Sequence, residues 1–199
     1  MIKWKFVVHP FGLIRILQLL FLLNIKHMEY FDLISGRESV RDYEPDKKVE
    51  KSILTKIANA GRLAPSAANR QPWKFLIISS AEMLQKVRPC YHREWFKQAP
   101  HILIAVGDNS KSWIRKTDDY NFVETDLAIA MDHMILAAEA EGVGTCWISA
   151  FDNKILREAL QLANNEIVYS ITPLGYQNDG YQKKGDKIRK AFKEVVEFV

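Results

Sequence analysis

The chain of 199 residues has only two cysteines, Cys90 and Cys146, and no cysteine–histidine cluster at metal-ligand spacing. That excludes a disulfide framework and a metal centre of that kind, and two buried, inert thiols in a reducing, cytoplasmic setting are expected. No G-x-G-x-x-G follows a strand-like run, and no Walker loop occurs. Neither a doubly wound dinucleotide fold nor a P-loop enzyme is therefore indicated. Repeats, low-complexity tracts and Pro/Gly/Ser linkers are missing as well, so residues 28–199 read as one domain. There is no basic footprint for nucleic acid. Of the 28 basic residues, Lys3, Lys5, Arg15 and Lys26 stand in residues 1–27 without an acid, and the remaining 24 match 24 acidic ones. The net charge of +4 belongs to this extension, and no nucleic-acid partner is expected.

The extension lacks a complete membrane span. "FVVHPFGLIRILQLLFLLNI" is interrupted by Pro10, Gly12 and Arg15, and its uninterrupted part, Ile16 to Leu23, falls well short of the ~20 residues a bilayer requires. A basic start and an apolar core resemble a signal, but no small-x-small cleavage site follows. Three readings stay open for residues 1–27: a membrane anchor, a poorly formed signal, and translated sequence upstream of a start at Met28. Membrane association is expected nowhere else.

What is present alternates between helix and strand signals. Helices are predicted over about 29–35, 46–62 with Asp46 as N-cap, 80–87 with Ser80 as cap, 124–141 and 152–162. Strands are predicted at "KFLIIS" (74–79), "HILIAVG" (101–107), "TCWIS" (145–149) and "EIVYSITPLG" (166–175). Leu127, Met131, Met134, Ile135 and Ala138 give 124–141 a strong apolar stripe, while Ala128, Ala130, Ala137 and Ala140 keep it thin enough to pack closely on another helix or subunit. The pattern specifies an α/β or α+β sandwich.

Three segments carry chemistry. In "GRESVRDY" (36–43), Arg37, Ser39 and Arg41 alternate, so an extended backbone turns all three the same way. Two guanidiniums flanking a hydroxyl suit a phosphate, although a solvated strand edge has the same composition. Lys187 and Arg189, in "KIRK", form a second basic point. In "APSAANRQPW" (64–73), Pro65 and Pro72 stiffen a loop that Ser66, Ala67 and Ala68 keep thin. Asn69 and Gln71 there offer donors and acceptors that can read a heterocycle edge, or simply cap a turn. None of the five histidines has a nucleophile or base partner by spacing, and Asp118–Asp119 reads as a solvated turn. Reactive atoms would then belong to a cofactor.

Taken together, "RESVRDY" (37–43), "APSAANRQPW" (64–73), "AEGVGTCWISAFD" (140–152), "PLGY" (173–176) and "KIRKAFKEVVEF" (187–198) resemble the compact branch of the nitroreductase family of FMN-dependent oxidoreductases. The resemblance implies an α+β fold with a central mixed sheet flanked by helices, in an intertwined homodimer whose C-terminal tails cross over. It implies that Arg37, Ser39, Arg41, Lys187 and Arg189 hold the FMN phosphate and ribityl chain. Pro65, Ser66, Asn69 and Gln71 would border the ring, and the backbone at Ile148 and Ser149 would aim an amide at N5. The implied activity is ping-pong transfer from NADH or NADPH to a small-molecule acceptor such as a nitroaromatic or quinone. Flavin binding or delivery without turnover, and reductive dehalogenation, are the alternatives. Ala67 stands where many relatives carry a hydroxyl, and nothing transfers to 90–98. Trp95, Trp113, Tyr120 and Phe122 are candidates for an acceptor pocket, with core packing the commoner role.

Overall fold

Along the chain, α1 (Tyr30–Gly36) and α2 (Lys51–Arg62) precede β1 (Trp73–Ile78), α3 (Ala81–Val87), α4 (Glu94–Gln98) and β2 (His101–Asp108). A two-residue hairpin, β3 (Ile114–Arg115) with β4 (Tyr120–Asn121), leads into the long α5 (Val123–Ala140). Then come β5 (Gly144–Thr145), α6 (Asn153–Leu160), β6 (Glu166–Gly175) and a short α7 (Phe192–Val195). The structure is a computed structural model that describes residues 30–185 and 187–199, so the readings of residues 1–27 lie outside the described residues.

Strand β2 is the axis of the fold. Its residues point alternately to the two sheet faces, as the two-residue repeat of a strand requires. Leu103 and Ala105 pack against Ile57 of α2 and Leu127, Met131 and Met134 of α5. Ile102, Ile104 and Val106 pack on the opposite face with Leu84, Val87, Phe96 and Leu156 from α3, α4 and α6. Helices therefore cover both faces, which explains why "HILIAVG" is apolar throughout. The α2–α5 contact is close: a Cβ on Gly61 would lie 2.7 Å from Met134 Cγ and Sδ.

The sheet order is β1-β2-β6-β5, and every described pair is antiparallel. The α+β class agrees with expectation, but the four strands of one chain are not the mixed sheet that the resemblance implies. Each runs against its neighbour, so a parallel strand would have to come from outside them. Helix α2 starts at Lys51 instead of 46, because Glu50 is non-helical at a ψ of 141°; Val49 just before it donates its N–H to His101 Nε2 at 3.1 Å. Only Gly144 and Thr145 of the "TCWIS" region pair as strand; Cys146 N–H donates to Thr172 Oγ1 at 3.0 Å, and Ile148 makes an isolated bridge to Ile171. Ser80 caps α3 as expected, accepting from Met83 N–H. No helix among the described residues is long and apolar enough to cross a membrane.

Candidate functional site

Helix α1 stops at Gly36, and the chain continues extended past Arg37, Ser39 and Arg41. Val40 N–H donates to Thr145 O at 2.8 Å, and Glu44 N–H to Tyr176 O at 2.9 Å, which lays this segment along β5 and the end of β6. Val40 is buried, so its odd-numbered neighbours face away from the core. They meet at Cys146. Burial pushes that thiol's pKa up, and Arg41, a Ser39 hydrogen bond and Arg37 oppose the rise.

The C-terminal segment is strapped onto the same place. Asn178 Nδ2 donates to Asp42 Oδ1 at 2.5 Å, Tyr181 OH to Glu38 Oε1 at 2.6 Å, and Lys184 N–H to Glu38 Oε2 at 2.9 Å. Lys183 donates to Gly36 O and pairs with Glu139 in the last turn of α5. Lys187 Nζ donates to Ile34 O at 3.0 Å, and its pKa is lowered by burial, then by Arg37 and Arg189. Cations from the two ends of the domain thus converge. Arg37, Arg41, Lys187 and Arg189 make no ion pair with the described residues. Arg41 and Arg189 are exposed and Arg37 and Lys187 half-buried, so the cluster is open to an anion, and guanidinium forks have the geometry to bind phosphate oxygens.

The loop 65–71 is elsewhere. Ala68, Asn69 and Gln71 have φ of 49°, 53° and 49°, a left-handed backbone built without glycine. Ser66 Oγ accepts from Gln71 N–H at 2.9 Å, and Gln71 Nε2 donates to Asn69 Oδ1 at 3.1 Å. With its oxygen taken, Asn69 presents its NH2 group as a donor. Ala67 N–H donates to Asp126 Oδ1 at 2.9 Å, in the first turns of α5. Asp126 and Glu139 are thirteen residues apart on one helix, roughly 20 Å at the helical rise. Within one chain, loop and cation cluster therefore stand at opposite ends of α5.

Ile148 N–H donates to Ile171 O at 2.9 Å, and Ile171 N–H returns a bond of 3.0 Å, so the Ile148 amide is committed to the fold. Ser149 is exposed, and its N–H has no partner among the described residues. Beside it opens a cavity of about 590 Å³ lined by Cys90, Tyr91, His92, Arg93, Ala150 and Asp152. Asp152 Oδ1 caps α6, accepting from Lys154 and Ile155 N–H. Sequence reasoning assigned nothing to 90–93, and no residue pattern there marks a pocket. The candidate aromatics divide differently. Trp95 packs with Tyr43, Tyr91 and Phe96, close to this cavity, whereas Trp113, Tyr120 and Phe122 gather around Arg115 at the β3–β4 hairpin. A second cavity, about 480 Å³ between α2 and β1, is lined by Leu54, Ala58, Ile77 and His101 and touches none of the site residues.

A family model described as the Nitroreductase family matches residues 34–95 and 83–176, a span from the cation segment to the end of β6. The chain belongs to the nitroreductase family. A nitroreductase family protein from Clostridium difficile 630 superposes with a TM-score of 0.79 at 30% identity, covering 86% of this chain and 98% of that one. An FMN-dependent nitroreductase from Clostridium difficile R20291 superposes with a TM-score of 0.68 at 26% identity, over 83% and 96% of the two chains. A protein of Archaeoglobus fulgidus with the assigned name NADH dehydrogenase/NAD(P)H nitroreductase is 31% identical over 156 residues, 76% of this chain and 87% of its own. In this nitroreductase-family chain the strap residues Glu38, Asp42, Asn178, Tyr181 and Lys183 escaped sequence reading, because isolated polar residues in loops carry no periodicity. Asp126 did have a signal: it lies four and eight residues before Ala130 and Met134, inside the apolar stripe.

Proposed function

We propose that the chain is an FMN-dependent oxidoreductase that moves hydride equivalents from NADH or NADPH to nitroaromatics, quinones or similar acceptors by a ping-pong mechanism. The observation that carries this reading is the convergence of cations without ion-pair partners among the described residues from both ends of the domain. Bound FMN would supply the two-electron redox chemistry between nucleotide and acceptor. The residues of the chain bind and orient. Arg37, Arg41, Lys187 and Arg189 would hold the phosphate and Ser39 a ribityl hydroxyl. Ser149 N–H would hydrogen-bond the N5 edge, and the cavity by Tyr91 and His92 would admit donor and acceptor in turn.

Pro65, Ser66, Asn69 and Gln71 would border the ring from a second copy of the chain. An antiparallel pairing of two α5 helices places the loop of one chain beside the cations of the other, closing the 20 Å gap. Ala128, Ile129, Leu136 and Ala137 on α5 are only half-buried and offer that face. The tail carries further uncovered apolar groups, including Ile188 at 96% and Phe198 at 89% exposure, suited to a crossing arm. Residues 28–199 would form the functional domain, working in the cytoplasm.

The test is direct. Purified 28–199 should be yellow, release FMN on denaturation, and bleach when NADH or NADPH is added without oxygen. An added acceptor should then restore the colour. A protein that stays colourless with added FMN would refute the reading; a yellow protein that neither nucleotide bleaches would point to flavin binding without turnover.

A further inference from the structure

The bond between Ala67 N–H and Asp126 Oδ1, 2.9 Å long, has a property that the rest of loop 66–71 does not share. Every other hydrogen bond of the loop is local in sequence: Asn69 N–H to Ser66 O, Arg70 N–H to Ala67 O, Gln71 N–H to Ser66 Oγ, Gln71 Nε2 to Asn69, and Trp73 N–H to Gln71 O. Among the described residues, Asp126 alone joins the loop by a hydrogen bond to an element distant in sequence, the bond to β1 running only from Trp73 back to Gln71.

The carboxylate is also costly where it stands. Asp126 is 1% exposed, and its Oδ2 is buried without a partner. Burial raises its pKa, which the Ala67 N–H only partly opposes. A buried carboxylate with one hydrogen bond is a net burden on the fold, and an apolar residue of similar size would pack there without it. The α5 N-terminus eases the charge but leaves Oδ2 without a hydrogen bond; of the first amides, Val123 N–H donates to Asn121 Oδ1 instead. The loop above is itself held in left-handed geometry at Ala68, Asn69 and Gln71.

We propose that Asp126 is a positioning residue for the flavin: through Ala67 N–H it holds loop 66–71 in the shape that presents Asn69 to the ring. This rests on the reading of the loop as a flavin border given above. Asp126 touches neither cofactor nor substrate; it acts through the loop. The Gln71–Asn69 bond fixes the side-chain amide, and Asp126 fixes where that amide stands.

The test uses the dimeric protein with three variants. Asp126→Ala removes the acceptor, and Asp126→Asn keeps an oxygen in its place. Ala67→Pro removes the N–H with the carboxylate intact, at a first helical position where proline fits. Two readouts are taken. Trypsin cleavage after Arg70, an exposed residue in the loop, should quicken about tenfold without FMN in Asp126→Ala and Ala67→Pro, the size of one lost hydrogen bond in a local opening equilibrium. With FMN, the same two variants should shift the visible flavin bands, while Asp126→Asn should resemble the wild type in both readouts. Wild-type cleavage rates and bands in Asp126→Ala and Ala67→Pro would overturn the proposal and leave the FMN reading intact. So would an Asp126→Asn variant as altered as Asp126→Ala. If Asp126→Ala does not fold, Ala67→Pro and Asp126→Asn still decide. A wild-type chain that binds no FMN would overturn the reading and the inference together.

Discussion

Replacing Arg37 with alanine separates phosphate binding from every other contribution to flavin affinity. Arg37 is half-buried, lies beside Lys187 and makes no ion pair with the described residues. Its guanidinium is thus free to serve an anion, and no carboxylate would be stranded by its loss. A hydrogen bond to a charged group contributes about 1.5–3 kcal/mol, which is roughly 10–150-fold in dissociation constant. Partial exposure favours the lower half of that range. The assay is quenching of flavin fluorescence on titrating apoprotein, at fixed ionic strength, with FMN and in parallel with riboflavin. Riboflavin has the same ring and ribityl chain without the phosphate. Arg37→Ala should weaken FMN binding and leave riboflavin binding nearly unchanged, so the ratio of the two affinities collapses. Equal losses for both ligands would mean that Arg37 supports the fold of the segment instead. No loss for either ligand would refute the assignment of Arg37 to the phosphate.

Gly61→Val should destabilise the protein by about 1–3 kcal/mol through overpacking, because even a Cβ meets Met134 Cγ and Sδ at 2.7 Å; a wild-type thermal midpoint would show that α2 and α5 are not so closely packed. His101 is held neutral, with Nε2 accepting from Val49 N–H and Nδ1 at 2.7 Å from Ser79 Oγ, and burial and then Lys48 lower its pKa. The unfolded chain therefore takes the proton first as pH falls. Stability from this site is complete above about pH 6.5 and declines as pH drops from there toward the folded value. His101→Gln should flatten that part of a denaturation series between pH 7 and 5, and an unchanged slope would remove His101 from the account. Co-refolding an Arg37→Ala/Arg189→Ala chain with an Asn69→Ala/Gln71→Ala chain should restore one intact FMN site in each mixed dimer. Failure to regain binding would place the whole site in one chain.

The sheet core was readable because β2 and β6 are long enough, and apolar enough, for local pattern to decide them. The helix α5 was readable because its apolar stripe, Leu127 to Ala138, runs over about three turns. Errors fell where a distant partner intervened. Helix α2 loses 46–50 because Glu50, at a ψ of 141°, breaks the helical path, and Val49 just before it is tied to His101, fifty-two positions away. The strand "TCWIS" is cut short by the Thr172 hydroxyl for the same reason. Helix α4, five residues long, is too brief to show a period. At the site, Arg37, Ser39 and Arg41 follow from alternation, yet their meeting with Lys187 depends on Glu38, Asp42, Asn178 and Tyr181, whose bonds span about 140 positions. The cavity at Tyr91–Arg93 exists only because α6 brings Ala150 and Asp152 against that turn.

Strain locates the centre of this molecule independently of any cation. Among the described residues five non-glycine residues have positive φ, and three of them, Ala68, Asn69 and Gln71, fall within four positions. Each such conformation costs an L-residue roughly 1–2 kcal/mol; Asp119 and Gln161 accept it singly, in a turn and at the end of α6. Loop 66–71 concentrates it, and the buried Oδ2 of Asp126 adds an unsatisfied charge directly below. Neither burden stabilises the sheet, which is closed by β1–β2–β6 pairing and by the packing of α2 and α5. Glycine at 68 or 69 would relieve the backbone, and an apolar residue at 126 would relieve the core. The chain carries neither substitution. On the reading proposed above, a loop held in an expensive shape by an expensive anchor would serve a ligand that needs that shape, and a thin, rigid border carrying Asn69 would suit a flat heterocycle bound to a neighbouring chain.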